Sequence, residues 1–498
     1  MSRGDNVMSY QSTRSAAAAN SLEAVLTGIA PDGGLYIDPS IAARPFDWRK
    51  CLSLDELGMA EMLLGFLLPE FEDMGALVRR AYLGKFENDR LSPLVPCGDV
   101  HVLELFHGPT SAFKDVALSM LPQLITQARR QLGVPDDIVI LTATSGDTGK
   151  AALEGFHDVA GTGIIVFYPD GGVSPVQRAQ MVTQAGRNVR VCAVRGNFDD
   201  CQRGVKEAFA ALRGGSARLS SANSINIGRL APQLIYYFSA YAQLAASGAI
   251  SVGDRVDFIV PTGNFGDILA GYYARLLGLP VGRLVCASNE NNVLADFIRT
   301  GVYDARRPFI RTTSPSMDIL VSSNLERLLF LASGGDCSAV SGWMEALRRD
   351  GVYSVDAGTL SKIRAVFSAG FASEDNVRAA ISRVWTESGY LCDPHTAVAF
   401  SVLAEYRRGA EYTGNKCVVL STASPFKFPA AVLSAIGGNV TGDEFADMAA
   451  LSRMSGRAVP ENLASLRSLP VRHTDVIDRA DLTRYVSDIL SNGGFDSI

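Results

Sequence analysis

From about residue 100 onward, short apolar segments alternate with segments of helix length. The short segments are rich in β-branched residues and end in turn-forming residues, as in DDIVILTAT, GIIVFYP, VRVCAVRG, RVDFIVPTG, GRLVCASN and NKCVVLSTAS. This pattern is typical of buried strands. Because strands that alternate with helices are joined by right-handed crossovers, the sequence predicts an α/β fold with largely parallel sheets covered by helices.

The N-terminal part of the chain has a different pattern. The segments SLDELGMAEMLLGFLL and MGALVRRAYLGKF predict helices there. A chain of 498 residues also exceeds what one hydrophobic core usually supports. We therefore expect a mostly helical N-terminal domain over 1–95, a larger α/β domain over 96–135 and 225–498 with additional C-terminal helices, and a smaller α/β domain over 136–224.

Composition and charge argue against several function classes. The net charge is −6 and no basic cluster stands out, so neither nucleic acid nor a membrane surface is an expected partner. No apolar run approaches the ~18 residues that cross a bilayer, and the opening MSRGDNVMSYQSTRS lacks the apolar segment of an export signal. The eight cysteines include no CxxC pair, so we expect no metal site, reduced thiols and a cytoplasmic enzyme.

In open α/β sheets, ligands bind beyond the carboxyl ends of the strands. The first such turn, TATSGDTGKAA, follows the strand IVIL and opens a helix. Free amides at a helix start favour an anion such as a substrate carboxylate, and the candidate residues for this are Thr144, Ser145, Gly146, Asp147 and Thr148. An ordinary capped helix is an equal alternative, because Ser, Asp and Thr are the preferred caps.

The second turn, VPTGNFGDILAGYYA, predicts a phosphate cradle made of backbone amides. Its residues are Gly263, Asn264, Phe265, Gly266 and Asp267. The G-x-x-G spacing is not the dinucleotide fingerprint. A carboxylate would repel a phosphate, so we expect the Asp267 side chain to point away while its N–H contributes.

The third turn, LSTASPFKFP, places Thr422 at the end of the strand KCVVL. A threonine hydroxyl can donate to a neutral ring nitrogen or accept a hydrogen bond from a protonated one. Capping of the next helix would also explain a threonine at this position.

Lys114 stands in HGPTSAFKDVALSM and is one of only eight lysines in the chain. Apolar neighbours such as Phe113 and Val116 should lower the pKa of its amine and make it a nucleophile and base near neutral pH. The adjacent Asp115 points elsewhere on the helix and should not pair with it. An exposed helix lysine is the alternative. An amine, a phosphate cradle, a carboxylate-binding turn and a ring-nitrogen partner are together the parts of a pyridoxal phosphate enzyme.

The sequence resembles the threonine synthase family, in its branch with a long N-terminal region, within the fold-type II pyridoxal phosphate enzymes. The segments that match in order are YQSTRS, GIAPDGGLYI, LFHGPTSAFKDVAL, ATSGDTGKAALEGF, GNFDDCQ, SANSINIGRLAPQ, VPTGNFGD, SPSMDILVSSNLERLL, CDPHTAVA and STASPFKFP. The resemblance begins at Met8, and residues 1–7 are expected to be a leader that the family pattern does not include. The resemblance implies a large and a small domain built on twisted, largely parallel sheets.

The resemblance also implies roles for residues around the cofactor. Lys114 is expected to hold pyridoxal phosphate as a Schiff base, residues 263–267 to bind its phosphate, and Thr422 to face its pyridine nitrogen. The family typically has T-A-H-P-A-K-F in the last motif, where this chain has Ser424 and Phe426. That departure concerns the packing beside the ring and leaves the role of Thr422 unchanged.

For the substrate, the resemblance implies that the turn Ser145–Thr148 receives the carboxylate. Asn226 and Arg229, in NSINIGR, are the candidates for binding the substrate phosphate. An arginine can bind a phosphate through two hydrogen bonds, whereas Lys150 would act only as a point charge. His395, in DPHTA, is a catalytic candidate, although helix capping or packing explains it more simply.

The activity implied by the resemblance is conversion of O-phospho-L-homoserine and water to L-threonine and phosphate, by a monomer or a homodimer. A rival hypothesis is a fold-type II enzyme that only eliminates, such as an amino-acid dehydratase or a phospho-lyase that releases 2-oxobutanoate. A cofactor-binding protein without turnover is a hypothesis from a different class. A dinucleotide-binding oxidoreductase is more distant still, because the chain lacks the fingerprint.

Overall fold

The computed structural model describes residues 9–87, 90–144, 146–212, 218–491 and 495. The strands are, in chain order, β1 (Tyr10–Ser12), β2 (Ala18–Ala19), β3 (Tyr36–Ile37), β4 (Leu94–Cys97), β5 (Val100–Glu104), β6 (Ile138–Ala143), β7 (Thr162–Pro169), β8 (Val189–Arg195), β9 (Arg218–Ser220), β10 (Val256–Pro261), β11 (Val281–Ser288), β12 (Val302–Asp304), β13 (Val352–Ser354), β14 (Phe367–Phe371), β15 (Lys416–Ser421) and β16 (Asp475–Asp478).

The α-helices are α1 (Ser21–Thr27), α2 (Trp48–Leu52), α3 (Glu56–Leu67), α4 (Met74–Tyr82), α5 (Lys114–Gln131), α6 (Asp147–Phe156), α7 (Pro175–Val182), α8 (Phe198–Ala211), α9 (Ile227–Leu230), α10 (Leu234–Ala246), α11 (Gly266–Leu276), α12 (Val293–Thr300), α13 (Leu325–Ser333), α14 (Cys337–Asp350), α15 (Ala357–Arg364), α16 (Glu374–Ser388), α17 (Pro394–Tyr406), α18 (Pro429–Ala435), α19 (Glu444–Ser455), α20 (Glu461–Ala464) and α21 (Leu482–Ser491). Short 3-10 helices cover Ala231–Gln233, Pro315–Met317, Pro425–Lys427, Ser465–Ser468 and Arg479–Asp481.

Two largely parallel sheets organise the molecule. The larger has the order β14-β11-β10-β15-β5-β4, and every neighbouring pair is parallel except β4 and β5. The smaller has the order β16-β8-β7-β6-β9 and is parallel throughout. Every residue of β7 and of β10 is buried, which is what a parallel strand covered on both faces requires.

Alternating residues of one strand enter different parts of the core. Ile138 and Ile140 of β6 belong to the largest hydrophobic cluster, which also includes the buried residues of α3 and α4. Val139 and Leu141 of the same strand belong to a smaller cluster under α8 and α21. This division follows the two-residue period of a strand, and it explains why the sequence shows continuous apolar runs.

The N-terminal region contains more than helices. It includes a three-stranded antiparallel sheet with the order β2-β1-β3. β1 and β2 come before α1 in the chain, and β3 comes after it. Its strands have two or three residues each, which is too short for an alternating pattern to be visible in the sequence.

The end of the chain returns to the smaller sheet. β16 pairs in parallel with β8, and Leu482 and Val486 of α21 are buried in the cluster under that sheet. The sequence predicted that all of 225–498 belongs to the domain of the larger sheet. The structure shows instead that residues 475–491 pack with the smaller sheet. The remaining boundaries stay a prediction. Among the described residues, no helix is both long and apolar enough to cross a bilayer.

Helices α5 and α6 carry predicted site residues at their first positions, and they cross in close contact. A Cβ on Gly155 of α6 would overlap the carbonyl oxygen of Leu118 in α5. Only glycine therefore allows the two backbones to approach this closely.

We predict that Gly155→Ala lowers the free energy of unfolding by about 1–3 kcal/mol, because the helices must separate to admit the methyl group. Gly342→Ala in the exposed interior of α14 is the matched control, since nothing lies within 4 Å of its Cβ position. It should stabilise by about 0.5–1 kcal/mol. Urea denaturation measures both, and equal stability of the two variants would contradict the packing described.

Candidate functional site

The carboxyl ends of the strands of both sheets open onto one cleft of about 2030 Å³. The predicted residues that line it are Lys114, Thr144, Asp147, Thr148, Arg229, Gly263, Asn264, Phe265, Gly266, Asp267 and Thr422. Ser145 lies outside the described residues. Turns that are far apart along the chain therefore line one cleft, and the roles of these residues stay a prediction.

Main-chain hydrogen bonds hold the segment before Lys114 against the end of β15. The Phe113 N–H donates to the Thr422 carbonyl at 2.9 Å, and the Ser424 N–H donates to the Ser111 carbonyl at 3.1 Å. Ala112 and Ala423 form an antiparallel bridge between these two hydrogen bonds. These contacts place Lys114 beside Thr422.

The Lys114 amine is nearly removed from water, with 11% of its side chain exposed. It donates a hydrogen bond to Ser316 Oγ at 3.2 Å and lies 4.0 Å from Asp147 Oδ2. Burial lowers the pKa of Lys114 to about 8, against the opposing effect of Asp147. The amine therefore has the lowered pKa predicted from the sequence, and the alternative of an exposed helix lysine is wrong. As also predicted, Asp115 does not pair with it and instead accepts from the Thr110 N–H at 2.8 Å.

A second lysine, Lys427, is part of the same cluster, although no motif of the sequence indicated it. Its side chain has no exposed surface, and its Nζ lies 2.7 Å from Asp147 Oδ1. Gln177 Nε2 donates to the same oxygen at 3.0 Å, and Ser316 Oγ donates to Oδ2 at 3.2 Å. Burial alone would raise the pKa of Asp147, but the ammonium groups of Lys427 and Lys114 hold it well below its usual range. Lys427 is one of only eight lysines and stands between Phe426 and Phe428, and this apolar setting could have indicated from the sequence that it is buried.

The turn before α6 is a helix cap as well as a binding candidate. Thr144 Oγ1 accepts from the N–H groups of Gly146 at 3.0 Å and Gly149 at 2.9 Å. Gly146 has a φ of 145°, and a Cβ there would overlap the Gln177 side chain. Capping therefore accounts for the Thr144 hydroxyl, while the orphan amides in the first turn of α6 still favour an anion.

The loop after β10 is the predicted phosphate cradle, and it turns sharply into α11. Phe265 has a φ of 63°, and α11 begins at the next residue. A Cβ on Gly263 would lie 2.8 Å from the Ser316 carbonyl oxygen, so glycine is required. Asn324 fixes the loop by donating from its backbone N–H and its side-chain amide to the Asn264 carbonyl, each at 3.1 Å. The first-turn amides of α11 are consequently held in place with no helical partner of their own.

The Asp267 side chain points away from the cradle, as predicted. Its Oδ1 accepts hydrogen bonds from the hydroxyls of Tyr236 at 2.7 Å and Tyr237 at 3.0 Å. Burial raises the pKa of Asp267 to about 7, although both tyrosines act in the opposite direction. A carboxyl group that titrates near neutral pH repels a nearby phosphate less than a fully ionised one.

Of the candidates for the substrate phosphate, Arg229 lines the cleft, whereas Asn226 and Lys150 do not. Arg229 is 3% exposed, donates to the Ala222 carbonyl at 2.5 Å, and has a buried Nε without a partner among the described residues. Asn226 uses its side chain to contact the Val25 carbonyl at 2.8 Å and the Gly228 N–H at 2.9 Å. Lys150 is ion-paired with Glu154 at 3.0 Å.

His395 is buried between two fixed partners. Its Nδ1 lies 2.6 Å from Asp393 Oδ2, and its Nε2 accepts from the Ser316 N–H at 3.2 Å. Asp393 also caps α17. These contacts support the packing role, because both ring nitrogens are engaged in holding the segment that carries Ser316.

The residues that depart from the family motif are accommodated in the core. Ser424 caps a short 3-10 helix by accepting from the Phe426 N–H at 3.3 Å. Phe426 is 4% exposed and packs in the cluster behind the larger sheet. Thr422 keeps its place on the cleft.

Three family models match the chain. Residues 86–352 match pyridoxal-phosphate dependent enzymes, residues 9–95 match the threonine synthase N terminus, and residues 396–486 match the C-terminal part of threonine synthase. The first of these spans Lys114, Arg229 and the loop 263–267, and the last spans Thr422. The matches therefore include the predicted cofactor residues that line the cleft.

Two curated relatives and one solved structure agree with these models. Threonine synthase of Saccharomyces cerevisiae is 37% identical over 95% of this chain and 96% of its own length. Threonine synthase-like 1 of Homo sapiens is 37% identical over 83% of this chain, which spans 58% of that relative. The crystal structure of pyridoxal-phosphate-bound threonine synthase from Brucella melitensis is similar with a TM-score of 0.83 and 38% identity, covering 96% of this chain and 98% of that chain.

These findings confirm the fold-type II architecture and the pyridoxal phosphate cofactor that the sequence predicted. The chain belongs to the threonine synthase family of pyridoxal-phosphate dependent enzymes.

Proposed function

We propose that this protein converts O-phospho-L-homoserine and water to L-threonine and phosphate. The observation that carries the proposal is the Lys114 amine, whose pKa burial lowers to about 8, in one cleft with the buried Arg229 and the loop 263–267. The names of the yeast and Brucella relatives support the same reaction.

The residues of the cleft fit pyridoxal phosphate. The Lys114 amine is available for its aldehyde, the amides of Gly263–Asp267 for its phosphate, and the Thr422 hydroxyl for its ring nitrogen. When bound, the cofactor supplies an electron sink that stabilises negative charge on the substrate. The Thr422 hydroxyl beside the ring nitrogen, in place of a carboxylate, would leave that nitrogen less protonated and so moderate the electron withdrawal.

The two anionic ends of the substrate require two separate sites. The first turn of α6, with the Thr148 hydroxyl, suits the carboxylate because the N–H groups of Asp147 and Thr148 have no partner within the helix. The side chain of Asp147 is already paired with Lys427. Arg229 suits the phosphate because its buried Nε has no partner in the described part of the protein. Asn226 is not part of this proposed site, since its amide is used by Val25 and Gly228.

Lys114 moves the protons. As a neutral amine it removes the proton at Cα, and as an ammonium it returns protons to Cα and Cγ. Over the cycle the amine also takes up the proton lost from Cβ, so that two protons are accepted and two are returned. Phosphate leaves Cγ with the electrons of the C–O bond, and the water adds its hydroxyl at Cβ and gives its proton to the departing phosphate. A pKa of about 8 lets one amine act as both base and acid near neutral pH.

We also propose that the protein works in the cytoplasm as a monomer or a homodimer. All eight cysteines are free thiols, which suits a reducing compartment.

Product analysis tests the proposed reaction. We expect the purified holoenzyme to release threonine and phosphate in equal amounts from O-phospho-L-homoserine, measured by amino-acid chromatography and a phosphate assay. Release of 2-oxobutanoate in place of threonine would instead assign the protein to the eliminating enzymes, and no phosphate release would contradict both.

We predict that Lys114→Ala lowers kcat by about 10⁴-fold or more, because the proton transfers depend on this amine. Lys362→Ala, an exposed lysine on α15, is the control and should leave kcat unchanged. Turnover by Lys114→Ala within about tenfold of the parent would rule out the assigned role.

We predict that Arg229→Gln raises KM for O-phospho-L-homoserine by about 10- to 100-fold, because a charge-assisted contact to the phosphate is lost. The absorbance spectrum of the bound cofactor should stay unchanged. Arg378→Gln on the exposed face of α16 is the control. Loss of the cofactor with an unchanged KM would place Arg229 at the cofactor instead.

A further inference from the structure

The buried ion pair between Lys427 and Asp147 is not used by the proposed proton transfers. Lys427 follows β15 of the larger sheet, whereas Asp147 begins α6 beside the smaller sheet. The 2.7 Å contact between Lys427 Nζ and Asp147 Oδ1 therefore joins the two walls of the cleft. A fully buried lysine is rare, and here its charge is matched by one carboxylate.

The partners of Lys427 leave little capacity for a ligand. Besides Asp147, its ammonium donates to the Thr110 carbonyl at 3.0 Å. The side chain has no exposed surface. Lys427 lies at the wall of the cleft, but these two partners and its burial favour an action through Asp147.

Asp147 has two ammonium groups near its two oxygens. Lys427 is 2.7 Å from Oδ1, and Lys114 is 4.0 Å from Oδ2. The other groups that face this carboxylate are Gln177 of α7, Ser316 and the ring of His395. The charged groups that face Lys114, besides these two residues, are Arg229 and Asp115.

We propose that Lys427 is a positioning residue that binds the Asp147 carboxylate, so that Lys114 is not drawn into an ion pair and the first turn of α6 can receive a substrate carboxylate. This inference rests on the proposed function of the same cleft.

The physical reason is a competition for one negative charge. Coulombic attraction falls with distance, so the carboxylate belongs mainly to the nearer ammonium of Lys427. Without Lys427, Lys114 is the lysine that remains beside the carboxylate, and a protonated Lys114 is neither a nucleophile nor a base. An unneutralised Asp147 would also repel the substrate carboxylate at the same helix start.

The test is a charge-pair cycle made of Lys427→Met, Asp147→Asn and the double variant, each as the holoenzyme. The first measurement is the pH midpoint of the absorbance change of the bound cofactor, which reports the protonation of the Lys114 nitrogen. Lys427→Met should raise the midpoint by about one pH unit or more, because the free carboxylate favours the protonated form. Asp147→Asn should lower it, because the free ammonium of Lys427 disfavours that form.

The double variant should have a midpoint close to that of the parent, since the pair is removed as a neutral unit. The second measurement is kcat/KM for O-phospho-L-homoserine. Lys427→Met should lower it by about 100-fold, and the double variant should recover most of that loss. Lys362→Met on α15 controls for the substitution itself and should change neither quantity.

Midpoints that move in the same direction in both single variants, or not at all, would overturn the inference. A double variant as impaired as Lys427→Met would also overturn it, because Lys427 would then act directly on the cofactor or the substrate. If Lys427→Met does not fold, the other two variants are compared with the parent. An Asp147→Asn midpoint at or above that of the parent, or a kcat/KM of the double variant more than about tenfold below that of the parent, would then overturn the inference. The midpoint measurement needs only bound cofactor and no turnover. A failure of this inference can therefore be told apart from a failure of the proposed threonine synthesis.

Discussion

Burial of the Lys114 amine near the carboxylate of Asp147 is the constraint on which the rest of the site depends. Burial favours the neutral amine, whereas Asp147, 4.0 Å away, favours the ammonium. The outcome is a pKa of about 8, low enough for the amine to be neutral part of the time at physiological pH. Lys427 contributes to this balance because it occupies the other oxygen of Asp147 at 2.7 Å.

The fold supplies this environment by bringing two sheets together at their carboxyl ends. Main-chain hydrogen bonds from the end of β15 fix the segment before Lys114, and the close crossing of α5 and α6 at Gly155 brings Asp147 to the same cleft. The loop 263–267 is fixed from a third direction by Asn324. The Lys114 amine, the first turn of α6 and the loop 263–267 are therefore all held at the cleft by contacts of the main chain.

The sequence was sufficient wherever the chemistry is local. Strand-to-helix turns carry their glycines and hydroxyls in consecutive positions, so the sequence indicated that Lys114, the loop 263–267 and Thr422 lie at one cleft. The family resemblance was confirmed, whereas the roles of these residues stay a prediction. The sequence was insufficient where two residues that form a contact are distant in the chain. Nothing near Lys427 indicated that its partner is Asp147, and nothing near Asn226 indicated that its amide is used by Val25. The short strands β1, β2 and β3 were also missed, because two or three residues show no period.

The most direct test of this account identifies the nitrogen that carries the cofactor. The holoenzyme is reduced with borohydride, which makes the link between cofactor and lysine permanent, and the modified peptide is located by mass spectrometry. The account predicts modification of Lys114 alone. Modification of Lys427, or of any other lysine in its place, would contradict it.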